Sequence, residues 1–533
     1  MKAKCISFFE NNRNFYIVLF CAMLVRSFPF GFQYFAFSDD FNAYGVYSLY
    51  QGNLWLDVVL RYTLYGFRPL AGLLDAYVIS RFWDNLAFVL FGITGMQFAT
   101  IWLLDKVFAR SGLIWGRVAA VFFAFFPTLT ESAYWISASA RIVTTAFFCT
   151  LAAFAMLKFI YKEGRYWFWF ALALLSGLLA QGFYEQGILF TFVVTLGLLI
   201  LHRKALPRKA LFAWPFVNLA IIGTHYFIFR DVSQLGPRSE MADNLFSQIP
   251  LVADRIVTTF IREQSPTIYN TIRWGLGQLF TEHLFLVIWV ALFSSLLTLF
   301  IIFDKRAILE SGRKTLRSLL AGLLLTLSTL VIFFFLAESW VWVRNFFYVI
   351  IGLAVFVEIA ARAVRHIHIG VTIGKAIAAF CAIFIFFSGF ILEVNSIRLV
   401  EHYDRQIVSA LIKEMERSDS DSEAELVWFF GLKVDYGRQQ INPRISSQIR
   451  LDWALDGIYL ALTQTPSRDR PHWVVPIMHG QETEADFDRD ILFGLDADLA
   501  VRALHFEDGF LIFQDSGEAF GLIDPHGIFL MEE

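Results

Sequence analysis

Two adjacent carboxylates, Asp39 and Asp40, share this sequence with three separate acids, Glu131, Glu185 and Glu338, and three arginines, Arg68, Arg141 and Arg344. All eight lie in or beside apolar runs, where an ionisable side chain costs about 2.5–3.5 kcal/mol on insertion scales, so each is a candidate functional residue. Together they fit one chemistry. A carboxylate close to a reacting hydroxyl takes its proton as the hydroxyl attacks, and guanidiniums present paired N–H donors that neutralise a departing phosphate. The pattern points to transfer of a group from a lipid phosphate carrier, the hydroxyl displacing the phosphate. Asp39 or Asp40 is the general base, Arg344, Arg68 and Arg141 bind the phosphate, and Glu131, Glu185 and Glu338 line the site. Plainer readings exist: Arg68 pairs with Asp39 or Asp40, Arg344 anchors to headgroups, Glu131 caps a helix, and Glu185 favours a helix N-terminus. Glu282-His283 reads either as a divalent-metal pair or as a cap. No CxxC, His-rich cluster or zinc spacing occurs.

These residues need a membrane body to hold them. At 57% hydrophobic and 17% charged, with 60 Phe, 18 Tyr and 15 Trp, the chain is neither a disordered segment nor a basic nucleic-acid-binding domain. Its net charge of −3 hides a division. Residues 1–400 carry 33 Lys and Arg against 21 Asp and Glu, whereas 401–533 carry 11 against 26. Hydropathy predicts about eleven transmembrane helices, at 15–36, 85–104, 114–130, 136–157, 166–183, 186–202, 210–230, 283–303, 318–337, 345–361 and 371–393. With the N-terminus cytoplasmic, every inner loop is basic, from Lys106, Arg110 and Arg117 to Arg362, Arg365 and Lys375, and the short outer loops around Glu131 and Glu185 lack Lys and Arg. That pattern requires 69–83 to lie at the outer surface without crossing. The eight candidates then share the outer face.

The first domain is 1–399, with outer loops 37–84 and 231–282, and 400–533 is an acidic extracytoplasmic domain. In the tail, apolar runs at Leu426–Leu432, Trp473–Met478, Phe510–Phe513 and Ile528–Met531 alternate with helical patterns at 402–416 and 447–463, which predicts a small α/β or α+β fold. All four cysteines precede it, so the tail uses no disulfide. Its charge repels anionic headgroups. It is expected to stand off the bilayer or to dock on the loop bearing Arg255, Arg262 and Arg273.

The order of the motifs resembles the GT-C superfamily of polyprenyl-phosphate-sugar glycosyltransferases, particularly its protein O-mannosyltransferase-like branch. The resemblance covers about residues 15–365. It rests on Ser38-Asp39-Asp40-Phe41, Arg68-Pro69-Leu70, the run Pro127 to Ser137 containing Glu131, Arg141, Glu185-Gln186-Gly187, and Glu338 with Arg344 before Tyr348. It implies a GT-C-like polytopic α-helical fold, a catalytic Asp in the first outer loop, an isoprenoid-phosphate sugar donor and an extracytoplasmic acceptor: surface glycan, lipid or protein. A divalent metal at Glu282-His283 is the single cofactor it admits. The partners implied are membrane lipid and the isoprenoid-linked sugar, with no nucleic acid. Two positions depart from the family pattern. Val143 stands where relatives place an acid, and Tyr184 where they place a lysine before the later glutamate. Rival functions are a polysaccharide polymerase or ligase using Arg255, Arg262 or Arg273, a transporter of lipid-linked glycan, and a non-catalytic scaffold.

Overall fold

The computed structural model describes residues 2–37, 39–56, 68, 70–229, 245–263, 265–305, 311–334, 341–366, 372–418, 426–431, 445–464, 473–477, 491–496, 498–507, 510–524 and 527–530. The chain forms two units. The first comprises Met1–Tyr34, Trp55–Leu74 and Asn85–Val394, and the second Phe35–Leu54, Asp75–Asp84 and Asn395–Glu533.

The first unit is helical. Among the described residues seven helices are long and apolar enough to cross a membrane: Ala87–Arg110, Ile136–Ile160, Tyr166–Phe183, Leu284–Ile302, Gly312–Phe334, Val343–Val364 and Ile373–Arg417. Each coincides with a hydropathy span. Four other expected spans are shorter helices, and the local sequence says why for two of them. Asn12–Ser27 stops at Phe28 because Pro29 drives the residue before it out of the α region. Arg117–Phe125 stops at Phe126 for the same reason, ahead of Pro127. Gln186–Leu201 and Ala213–Phe229 have 16 and 17 residues. The expected surface segment 69–83 is also helical, as Ala71–Tyr77 and then Ile79–Asn85.

Buried arginines fasten these helices through backbone carbonyls. Arg26 is fully buried; its guanidinium donates to Ala124 O and to Gln97 Oε1 at 2.8 Å and lies 4.3 Å from the Phe390 ring centre. Arg117, also buried, donates to Phe9 O at 2.7 Å, Glu10 O at 2.8 Å and Asn12 Oδ1 at 2.9 Å. A charge counted in a cytoplasmic loop from sequence is thus an interior tie. Helices Gly312–Leu330 and Phe347–His366 pack closely, because a Cβ on Gly352 would sit 2.2 Å from Thr326 Oγ1 and 2.6 Å from Gly322 O. Gly352→Val is expected to destabilise the unit by about 1–3 kcal/mol, the ordinary range for overpacking. Gly197→Ala, where the added carbon meets nothing within 4 Å, is the control and should leave stability unchanged or raise it by up to about 1 kcal/mol. Apparent melting temperatures of the purified variants check this.

Helix Thr372–Ser418 has 47 residues. At 1.5 Å per residue it is about 70 Å long, more than twice the hydrocarbon thickness of about 30 Å. From sequence the last span ends at 393, the domain boundary falls between 399 and 400, and a separate helical pattern covers 402–416. Helix geometry continues because Asn395–Ser418 contains no Gly or Pro.

Among the described residues the second unit forms a seven-stranded sheet in the order β2-β1-β3-β4-β5-β6-β7. Its strands are β1 Leu426–Phe430, β2 Trp473–Ile477, β3 Ile491–Leu495, β4 Val501–Glu507, β5 Phe510–Phe513, β6 Ala519–Asp524 and β7 Gly527–Leu530. β1 runs parallel to β2 and β3, and β3 to β7 form an antiparallel meander. Helix Asp452–Thr463 falls between β1 and β2 in sequence and packs on β2. Trp428, Phe430, Leu492, Leu504, Leu511 and Phe513 join one buried cluster. Their alternation along each strand puts them on one face.

Candidate functional site

Arg68 and Glu185 stand 117 residues apart in sequence and meet in a two-bond ion pair, Nε to Oε2 at 2.6 Å and Nη2 to Oε1 at 2.7 Å. Local geometry brings them together. Helix Tyr166–Phe183 ends, and Tyr184 adopts an extended backbone before Glu185 opens helix Gln186–Leu201. The Leu70 N–H donates to Gly182 O at 2.9 Å. A Cβ on Gly182 would lie 2.6 Å from Leu70 Cδ1, so glycine is what lets the Arg68 segment rest on this helix end. The sequence offers Asp39 or Asp40 as the ion-pair partner of Arg68; the structure gives it Glu185.

The Arg68 guanidinium also covers the Tyr184 ring at 4.6 Å. The Tyr184 hydroxyl accepts from Asn345 Nδ2 at 2.9 Å, and Asn345 Oδ1 accepts from the Trp342 N–H at 2.6 Å. That turn presents Arg344, whose Nη1 lies 3.5 Å from Glu131 Oε1. Arg344 also faces the rings of Trp135 at 5.2 Å and Trp342 at 5.8 Å. Arg141, on helix Ile136–Ile160, is close enough to Arg68 and Glu185 for its charge to act on both. The helix is held there by two tyrosines: Tyr34 Oη accepts from the Ile136 N–H at 3.0 Å, and Tyr348 donates to Ile142 O at 3.1 Å. Thus Arg68, Glu131, Arg141, Glu185 and Arg344 form one cluster with Tyr184 and Asn345, neither of which the sequence reading proposed as a site residue. In the sequence Tyr184 stands out only as a departure from the pattern of the family it resembles, and Asn345 carries no signal.

Electrostatics follow from this packing. Burial penalises the Glu185 carboxylate, but Arg68 outweighs it, with Arg141 adding to the effect, and holds Glu185 below the usual glutamate value. Burial likewise opposes the Arg68 charge, and Glu185 reverses the balance so that Arg68 titrates above its ordinary value. Burial, reinforced by Glu185, pushes the Tyr184 phenol up to about 12, so it stays neutral and able to donate at pH 7. Three guanidiniums against two carboxylates among the described members leave an excess of positive charge. Such a cluster suits an anion.

The Glu185 carboxylate gives a pH signature. Its folded value is depressed, so its contribution is complete above about pH 4.3, the unfolded glutamate value, and is lost as pH falls through the folded value. Glu185→Gln is expected to lower stability by about 1 kcal/mol at neutral pH, the scale of a partly exposed pair. Melting curves of mutant and wild type should converge in acid.

Asp39 and Asp40 belong to the second unit and open the helical turns Phe41–Gly45 and Val46–Ser48. They differ. Asp40 is fully buried, accepts from the Phe37 N–H at 3.1 Å through Oδ2, and returns its own N–H to Phe37 O at 3.1 Å. Asp39 is half-buried. Tyr44 donates to Asp75 Oδ1 at 3.4 Å, and Gly45 abuts the Trp83 ring. Ser38, Pro69, Glu338, Trp340 and the side chain of Arg262 lie outside the described residues.

Glu282 is exposed and accepts weakly from Gln278 Nε2 at 3.4 Å, while His283 meets the Phe30 ring edge-on at 5.3 Å. Among the described residues no group of three or more His, Cys, Asp or Glu could hold a metal ion. Two adjacent donors fall short of a protein metal site. Comparison with protein-family models, curated proteins and solved structures returned no match to this chain.

Proposed function

We propose that the chain is an integral-membrane glycosyltransferase that moves a sugar from a polyprenyl-phosphate donor to an extracytoplasmic acceptor. One observation carries the reading: Arg68 and Arg344 act on Tyr184 from segments far apart in sequence, and Arg141 is near enough to Arg68 and Glu185 for its charge to act on both. An anionic leaving group is the chemistry that needs them. In the reaction, the acceptor hydroxyl attacks the anomeric carbon and gives its proton to Asp39. The bond from that carbon to the phosphate oxygen breaks with inversion, and the lipid phosphate leaves with the electron pair. Arg344 stabilises the developing charge, with Arg68 and Arg141 beside it. Tyr184 donates a hydrogen bond without itself ionising. Asp40 is assigned to holding the turn, because its carboxylate already accepts from Phe37 in a fully buried position.

The proposal includes eleven crossings, a cytoplasmic N-terminus and an extracytoplasmic second unit, as the positive charge of the intervening loops supports. The deciding experiment incubates purified protein with radiolabelled polyprenyl-phosphate hexoses and pentoses. Release or transfer of sugar that depends on Asp39 supports the reading. Turnover that survives Asp39→Asn but is lost in Arg255→Ala would favour a polymerase, and movement of lipid-linked glycan across liposomes without turnover would favour a transporter.

A further inference from the structure

Phe35–Leu54 and Asp75–Asp84 group with Asn395–Glu533 and not with the residues that adjoin them along the chain. Particular contacts account for this. On helix Thr372–Ser418, the Glu401 carboxylate accepts from the backbone of Ala36, three residues before Asp39. Arg405 Nε holds Glu401 Oε1 at 2.9 Å, and its guanidinium lies 5.0 Å from the Phe41 ring centre, two residues after Asp39. One helical turn therefore grips the strand of chain on both sides of the carboxylates.

The next helix completes the grip. Asp452–Thr463 packs on Phe41–Gly45 and Val46–Ser48. Its approach is set by buried Asp404, which accepts from Ser447 Oγ at 2.8 Å and from the Gln448 N–H at 2.9 Å. Trp83 meets Phe41 at 5.9 Å and closes on Gly45. A loop held by a folded body loses little of its order when substrate arrives.

We propose that the acidic C-terminal unit is the cradle of the Asp39 loop, and that Arg405 is a positioning residue acting on Asp39 through Glu401 and Phe41. The inference rests on Asp39 being the general base. A general base must lie within hydrogen-bond reach of the proton it takes, and a misplacement of 1 Å can cost about 10²-fold in rate. The tail would then govern the chemical step itself. Its deletion would stop turnover of every acceptor alike.

The test uses the full chain. Arg405→Ala is expected to lower kcat for turnover of polyprenyl-phosphate hexose about 10-fold to 100-fold, leaving the donor KM unchanged. Arg405→Lys should recover much of the loss, because it keeps the charge beside Glu401 and over Phe41. Amide hydrogen exchange at 36–48 should quicken about twofold to fivefold in Arg405→Ala, the scale of one exposed cation–π contact. Asp404→Asn, which disturbs the same cradle through Ser447 and Gln448, should quicken it as well. Unchanged exchange in both variants overturns the cradle whatever the activity. Faster exchange with unchanged kcat, in a protein that Asp39→Asn inactivates, overturns the positioning role alone. Full turnover in Asp39→Asn overturns the catalytic reading and Arg405's role with it, and the exchange data then report on packing only.

Discussion

Replacing Asp39 by asparagine is expected to slow sugar transfer by about 10²-fold to 10⁴-fold, the usual contribution of a positioned general base. The amide keeps the size and hydrogen-bonding shape of the carboxylate but cannot take a proton. The effect should therefore fall on kcat, with donor affinity preserved. Asp40→Asn should behave differently. Its carboxylate is buried and occupied with the Phe37 N–H, so the loss should appear first as stability, about 1.5–3 kcal/mol for a hydrogen bond to a charged group. Measuring donor turnover and thermal unfolding on the same preparations separates the two. Equal rate losses for both substitutions would remove the distinction between base and anchor.

Arg344→Ala is expected to cost about 10²-fold to 10³-fold in rate, the size seen when one donor to a developing negative charge is removed. Its geometry sets it apart from Arg68. Two nitrogens of Arg68 are engaged by Glu185 at 2.6 and 2.7 Å, whereas the ion pair of Arg344 is at 3.5 Å and its faces meet two indole rings. A guanidinium held by flat aromatic faces keeps its in-plane N–H donors for a ligand. Arg344→Lys should recover only part of the activity, since it restores charge without the planar fork. Arg68→Ala should instead show its loss chiefly in stability, along with loss of the acid-dependent melting described for Glu185. If Arg68→Ala abolished turnover while Arg344→Ala left it intact, the assignment of the phosphate contact would reverse.

Hydropathy located the long helices because about 20 apolar residues in a row have few other uses. It erred on extent where proline intervened: Pro29 and Pro127 are apolar enough to extend a hydropathy window, yet each ends the helix before it. It also broke Thr372–Ser418 in two, since polarity changes at Asn395 while helix propensity does not. In the tail, four apolar runs named in advance are strands, while β3, β4 and β6 went unnamed. Gly494, Arg502, His505 and Gly521 interrupt their patterns, and sheet neighbours supply the order that local sequence lacks.

The site divides the same way. Its charged members stood out because charge is costly beside a bilayer, so Arg68, Glu131, Arg141, Glu185 and Arg344 could be named singly. Their pairing could not. Nothing local connects Arg68 with Glu185, and Tyr184 and Asn345 look unremarkable until the chain brings the phenol beneath one arginine and the amide beside the other. The tail's hold on the Phe35–Leu54 loop was equally hidden. Bulk acidity does not announce it, because the contacts are a few side chains of Glu401 and Arg405 on specific backbone and ring positions.

The buried Arg26 carries a consequence for how the protein is made. Its acceptors, Gln97 and the carbonyl of Ala124, lie 71 and 98 residues further along the chain. At about 5–20 residues per second of synthesis, the first apolar helix emerges about 4–20 s before the groups that satisfy its guanidinium. Arg26 stands in the last turn of its helix, so until those groups arrive its guanidinium can snorkel toward the interface. The packed position of helix Asn12–Ser27 is therefore not available during that interval. Its seating completes only when the helices bearing Gln97 and Ala124 arrive, so burial of Arg26 is a late event in the assembly of the first unit.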